Sequence, residues 1–440
     1  MRWILSGQEL YQRPSLTFTP FIYPPLYFYV ATELTKLFGI GFFPLRLISL
    51  FATGGTCSFL FALAYRETRK AWFSLLAPGL FLATYPLSGY WMDLGRVDSL
   101  MLFFVVASVF VLRTTKTTKG MILVGILAVL AIFTKQLVWS FYLPLVISLA
   151  LSRRMKDALT FCLTTGLVGG VALLLLQYQS GGWFWYYAVT IPAQHLWEVA
   201  MITYFWTTDI LFPVSILCFF VLIFCYLRRY SQTHAWGFYI AIVIGGIAMG
   251  WLGRLHTGGY ENVLLPTYAV LSLVTVLGVS ALQEYAQKRD LPLLEVAAWI
   301  LLSIQWSHLF YNPFRFIPTQ AMRYVQGEFR EELKKYPGPI LIQSHGFWDG
   351  NTATPINAHL MAIADIVRGS DDVMRESLRQ EFEGLLARHV YSVIVLDEAY
   401  RWERSMIEKY YVLSKELTFS APWELSGAVT APARVYVPKN

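Results

Sequence analysis

The sequence predicts an all-α polytopic membrane domain over residues 1–315, followed by a small α/β domain over residues 320–440. Three observations carry this reading. Hydrophobic residues make up 56% of the 440 positions and charged residues only 14%, whereas soluble domains are nearer a quarter charged. Apolar runs of roughly 18 residues recur along the first three quarters of the chain, the length a helix needs to cross a ~30 Å hydrocarbon layer. After Pro313 the pattern changes to charged amphipathic stretches separated by short apolar runs.

Apolar segments fall at about 21–38, 44–65, 71–90, 98–112, 120–134, 137–151, 158–177, 209–227, 235–253, 263–281 and 291–311. The first is the weakest span, because Pro24-Pro25, Glu33 and Lys36 interrupt it, and it reads as re-entrant or interfacial. Five loops, carrying Arg66/Arg69/Lys70, Arg113/Lys116/Lys119, Arg153/Arg154/Lys156, Arg228/Arg229 and Lys288/Arg289, hold 13 of the 21 Lys and Arg residues before position 320. The positive-inside rule places them in the cytoplasm. The loops near 91–98, 134–137, 178–208 and 254–262 then face outward, as does the C-terminal domain. In that domain 320–335 and 371–389 read as helices, and Ile340-Leu341-Ile342, Val393–Leu396 and Ala433–Val437 as strands. His345 and Asp349 read as ordinary loop residues.

Composition excludes several functions. Cys57, Cys162, Cys218 and Cys225 all sit inside apolar runs without a CxxC or a His cluster, so neither a disulfide framework nor a zinc site is expected. Residues 320–440 carry 14 Lys and Arg against 16 Asp and Glu, so the basic excess behind the net charge of +7 belongs to the membrane part and reports orientation. Loop 178–208 interleaves Trp183, Trp185, Tyr186, Tyr187, His195, Trp197 and Glu198 but lacks a basic stripe. Nucleic acid is therefore not an expected partner, and interfacial anchoring or sugar stacking fits better.

Four polar segments break the apolar pattern. In Tyr23-Pro24-Pro25 the residue before each proline is driven out of helical geometry, which marks a loop leading into a helix; an aromatic belt with a helix-start proline accounts for the same residues. Asp93, Arg96 and Asp98 precede and open an apolar helix. Asp98 suits a helix N-terminus, while two carboxylates flanking an arginine also suit a phosphate or a divalent metal ion. Lys135 interrupts two apolar runs, either snorkelling to the interface or offering a point charge to a lipid phosphate. Arg254 and His256, with Gly258, Gly259, Glu261 and Asn262, form a dense polar loop between two spans, and arginine holds phosphate bidentately.

Taken in order, SGQELY, YPPLYFY, GRVDSL, TKQ and GGYENVLLP resemble the GT-C superfamily of membrane glycosyltransferases, nearest the protein O-mannosyltransferase-like and aminoarabinose-transferase-like groups, over about residues 3–315. The resemblance implies transfer of a sugar from a polyprenyl-phosphate carrier to an extracytoplasmic acceptor, whether lipid, glycan or protein. It implies that Tyr23, Pro24 and Pro25 shape the entrance of the donor cavity. Asp98 with Arg96 would form an acidic site near the reaction centre, and Lys135, Arg254 and His256 would take the carrier phosphate. Asp93, Glu261 and Asn262 are further candidates. No cofactor is firmly implied, although a divalent metal is compatible. The family's base lies in a first outer loop ahead of the segment matching SGQELY, a region this sequence does not contain. The expectation is accordingly an incomplete version of a longer protein, inactive as written. A transporter or flippase of lipid-linked glycan is the alternative from another class, and a non-catalytic membrane scaffold is a third.

Overall fold

The computed structural model describes residues 1–229, 235–344, 357–369, 371–398, 402–427 and 429–439. His345 and Asp349 lie outside them. Every apolar segment expected from the sequence forms helix. Phe42–Thr68, Val97–Thr114, Met155–Gln179, Met201–Arg228, Trp236–Leu255, Glu261–Arg289 and Pro292–Phe316 are long and apolar enough to cross a membrane. Ala71–Ala83, Thr118–Ile132 and Gln136–Leu151 are shorter apolar helices beside them. The protein is an integral membrane protein.

Leu265–Arg289 is the hub of the bundle, buried along most of its length and packed against Phe212–Arg228, Ala235–Leu255 and Leu76–Ala83. Without hydrophobic drive between helices in lipid, such contact depends on close backbone approach through small residues. Gly278 supplies it: a Cβ there would stand 2.0 Å from the Phe220 carbonyl oxygen.

Leu26–Phe38 has 13 residues, about 20 Å at 1.5 Å per residue, short of a bilayer core. Its first amide donates to the Phe133 carbonyl at 3.0 Å, and the helix after it packs Arg46 and Thr53 against Asp93 and Met92. Both ends of this segment thus lie at the same end of the bundle, the one holding loops 91–98 and 133–136. From Phe42 onward the helices alternate, so the basic loops collect at the opposite end.

The C-terminal domain carries a four-stranded sheet in the order β1-β2-β4-β3, where β1 is Ile340–Ile342, β2 Val393–Asp397, β3 Tyr411–Glu416 and β4 Pro432–Pro438. β1 and β2 run parallel and the other pairs antiparallel. Alternate side chains serve opposite faces. Ile340, Ile342, Val393, Val395 and Val435 pack on Phe329 and Leu333 of helix Gln320–Leu333. Leu341, Ile394, Leu396 and Tyr436 pack on helices Leu360–Arg368 and Asp372–Ala387, in one core with Tyr11, Ile22, Phe184 and Ile191. Burial on both faces is why β1 and β2 read as continuous apolar runs. The sequence reading missed Leu360–Arg368, Arg404–Tyr410 and β3. The last is an edge strand with only Tyr411 buried, which leaves no hydrophobic period to read.

Candidate functional site

Four segments that are distant in sequence bring their polar residues to one point. Arg96 is an extended N-cap and Asp98 stands in the first turn of Val97–Thr114. Lys135 is an extended residue between Thr118–Ile132 and the 3-10 turn Gln136–Val138, and Asn262 lies in the 3-10 turn Glu261–Leu264. Asp98, 1% exposed, accepts from Lys135 Nζ at 2.6 Å and from Asn262 Nδ2 at 2.8 Å, both through Oδ1. Its Oδ2 lies 3.6 Å from Arg96 Nε. Both of these atoms are buried and neither makes a hydrogen bond among the described residues. Two cations on one carboxylate leave the cluster with one net positive charge.

Arg96 is fixed from its other side. Its Nη2 donates to Tyr23 Oη at 2.9 Å and its guanidinium stacks 4.5 Å from the Trp91 ring. Tyr23 belongs to the loop that leads through buried Pro24 and Pro25 into Leu26–Phe38, with Pro25 as N-cap. That loop is anchored to the Lys135 turn, because Gln136 Nε2 donates to the Ile22 carbonyl at 2.8 Å. Tyr23, Arg96, Asp98, Lys135 and Asn262 therefore form one connected network.

Arg254 and Glu261 form a neighbouring one. Arg254 Nε donates to Asp209 at 2.8 Å, its Nη2 reaches the other carboxylate oxygen at 3.3 Å, and its Nη1 donates to the Gly259 carbonyl at 3.0 Å and Glu261 at 3.4 Å. The guanidinium fork is thus occupied by protein. Gly258, at φ +86, and Gly259, whose added Cβ would lie 1.9 Å from the Gly253 carbonyl oxygen, let the loop fold back over the helix end. His256 contacts the Pro192 carbonyl at 3.0 Å, and its ring lies 4.7 Å from His195. His195 in turn contacts the Asp365 carbonyl at 2.8 Å. Burial pushes both imidazoles below their ordinary range, so they are neutral at pH 7.

Asp93 stands apart from the Asp98 network, paired with Arg46 and accepting from Tyr85 Oη at 2.7 Å. Among the described residues the two carboxylates flanking Arg96 in sequence share no partner. Among the described residues no three His, Cys, Asp or Glu side chains converge as metal ligands. Sequence reasoning missed Asp209, Arg46 and Asp365. Asp209, a charge at the start of an apolar run, carried the clearest signal of the three.

Residues 23–178 match the sequence model of the dolichyl-phosphate-mannose-protein mannosyltransferase family, a stretch that includes Tyr23, Asp98 and Lys135. In structure the chain is similar to ArnT of Cupriavidus metallidurans, solved in the apo state (TM-score 0.56) and bound to undecaprenyl phosphate (TM-score 0.55). Identity is 11%, over 99% of this chain and 91% of ArnT, and the likeness is one of fold. No protein of curated function matches the sequence.

Proposed function

We propose that this chain, a GT-C superfamily membrane glycosyltransferase by its fold and by the family match over residues 23–178, moves a sugar from a polyprenyl-phosphate carrier to an acceptor on the extracytoplasmic side. The observation that carries the reading is the network that joins the half-buried Arg96 to buried Asp98, Lys135 and Asn262 at the bundle end opposite the basic loops. The undecaprenyl phosphate bound to ArnT gives the carrier its chemistry.

In the transfer the acceptor oxygen bonds to the sugar's C1 as the bond from C1 to the phosphate oxygen breaks. The departing electron pair goes to the phosphate. A net positive, largely desolvated cluster stabilises that charge more than water would, because it is already oriented. Lys135 provides a point charge and Arg96 a donor fork with a buried, unused Nε. Asp98 holds both cations in place, and Asn262 fixes the carboxylate from its other side. Arg254 serves a different end in this scheme. Tied to Asp209, it holds the loop that presents Glu261 and Asn262.

The domain boundary near residue 315 and the outward placement of residues 320–440 belong to the same proposal, supported by the alternation of basic loops. The test uses purified protein in nanodiscs with undecaprenyl-phosphate mannose and undecaprenyl-phosphate aminoarabinose, and reads release of undecaprenyl phosphate. Release that falls about 10²–10³-fold in Lys135→Ala and Arg96→Ala, the usual loss for one transition-state donor, supports the reading. No release from either donor, or release indifferent to both substitutions, rejects it.

A further inference from the structure

Tyr23, whose hydroxyl accepts from Arg96 Nη2 at 2.9 Å, is itself held from behind. Tyr11, 2% exposed, donates its hydroxyl proton to the Tyr23 carbonyl at 2.7 Å. Gln136 Nε2 donates to the preceding carbonyl, that of Ile22, at 2.8 Å. The Tyr23 amide closes a tight turn onto the Phe21 carbonyl at 2.8 Å, and Pro24 keeps Tyr23 out of helical backbone geometry. With its amide, its carbonyl and its backbone range all constrained, Tyr23 offers Arg96 a fixed acceptor.

Tyr11 is fixed in turn by the core that seats the C-terminal domain. Its ring lies edge-on to Phe184 with centroids 5.3 Å apart, and 6.0 Å from Tyr187, whose hydroxyl donates to the Gln12 carbonyl at 3.0 Å. Farther along the same segment the Leu16 carbonyl accepts from the Ala358 amide at 2.8 Å, and the Leu16 amide donates to Glu381 at 3.3 Å. The C-terminal domain thus grips the stretch of chain that leads to Tyr23. For packing alone a phenylalanine would serve at position 11. A buried tyrosine hydroxyl needs an acceptor, and here the acceptor belongs to the residue that holds Arg96.

We propose that Tyr11 is a positioning residue of the carrier-phosphate site: its hydroxyl sets Tyr23, and Tyr23 sets the Arg96 guanidinium that meets the phosphate. This assignment rests on the phosphate site proposed above. Tyr11 acts through two hydrogen bonds in series, the first to a backbone carbonyl and the second between a phenol and a guanidinium. A donor fork that is already oriented binds phosphate better than one free to swing, because less side-chain freedom is lost on binding. Without the Tyr11 hydroxyl the loop around Tyr23 relaxes, and the cost of ordering Arg96 falls on the binding step. Lys135 is held on Asp98 from a separate turn, so its share of phosphate recognition persists.

The experiment compares wild type, Tyr11→Phe, Tyr23→Phe, the double variant and Lys135→Ala as full chains in nanodiscs. Affinities for undecaprenyl phosphate and for undecaprenol are measured, and limited proteolysis follows the seating of the C-terminal domain. Tyr11→Phe keeps its ring in the core and is expected to give the wild-type cleavage pattern. It is expected to weaken undecaprenyl phosphate binding about threefold to tenfold, the worth of one hydrogen bond, and to leave undecaprenol binding within about twofold. Tyr23→Phe is expected to lose at least as much, and adding Tyr11→Phe to it to change binding by less than about twofold, since both act through one chain of bonds. Undecaprenyl phosphate binding by Tyr11→Phe within about twofold of wild type, equal weakening for both lipids, or losses that multiply in the double variant overturns the assignment. So does a Tyr11→Phe protein that is misfolded or newly cleaved, because the hydroxyl would then serve the core alone. A wild type that binds both lipids alike, or Lys135→Ala without effect on the phosphate preference, instead rejects the phosphate site itself and this assignment with it.

Discussion

Removing Lys135 tests whether the buried network is held by charge. Lys135 is 6% and Asp98 1% exposed, with Nζ 2.6 Å from Oδ1. Breaking a buried pair by deleting one partner costs about 3–5 kcal/mol, because the other charge stays desolvated and uncompensated. In Lys135→Met, which keeps the side-chain stem, Asp98 retains Asn262 at 2.8 Å and Arg96 at 3.6 Å. The expected loss is therefore at the lower end, about 3 kcal/mol. Asp98→Asn leaves two cations without their carboxylate and falls at the upper end, about 5 kcal/mol. The double variant removes one cation and the anion together, so its cost is expected to stay at or below that of the larger single change. The coupling energy is then at least about 3 kcal/mol, the top of the range for residues in contact. SDS-induced unfolding in mixed micelles, followed by tryptophan fluorescence, gives the three values. Effects that add within about 0.5 kcal/mol would refute the view that Asp98 and Lys135 act as one unit.

Arg254→Ala is expected to destabilise by about 3–5 kcal/mol, since Asp209 loses the partner that balances its burial. It is expected to keep undecaprenyl phosphate binding within threefold; a tenfold loss of binding with the fold intact would instead make Arg254 a lipid ligand. For Asp365 the sign follows from its raised pKa. Between 3.8 and about 7 the native state keeps a proton that the unfolded chain has lost, so stability falls as pH rises through that window. The gain in melting temperature of Asp365→Asn over wild type is accordingly expected to grow from about pH 5 to pH 8, and a constant difference contradicts the raised carboxyl. Alkaline phosphatase fused after residue 330 is expected to be active, while an inactive fusion paired with an active cytoplasmic reporter there would invert the orientation.

What could be read from the sequence follows from contrast. Asp98, Lys135 and Asn262 each stand beside apolar runs, where a polar side chain is costly and so conspicuous, and the fold brings all three to one point. The tryptophans and tyrosines of loop 178–208 were visible too, but not their task. Phe184, Tyr187 and Ile191 are part of the core that seats the C-terminal domain. Pairing across the bundle was not legible. Arg254 read as an open phosphate fork because its partner Asp209 lies 45 residues away, and only the packing of two helices joins them. Asp365 gave no signal at all. In LMAIADIVR it occupies the polar face of a short amphipathic helix, and its carboxyl is left 16% exposed once that helix packs in the fold. The strength of 21–38 as a span was legible from its prolines and charges, and its geometry agrees: 13 helical residues that begin and end on one side.

The most direct test of the account is the preference of the purified protein for undecaprenyl phosphate over undecaprenol, two lipids that differ only in the phosphate. In nanodiscs at low ionic strength the wild type is expected to bind the phosphate at least tenfold more tightly. Arg96→Ala combined with Lys135→Ala is expected to bind both lipids alike, because the two cations around Asp98 supply the discrimination. Equal affinity of the wild type for the two lipids, or a preference that survives removal of both cations, would contradict a carrier-phosphate site at Asp98.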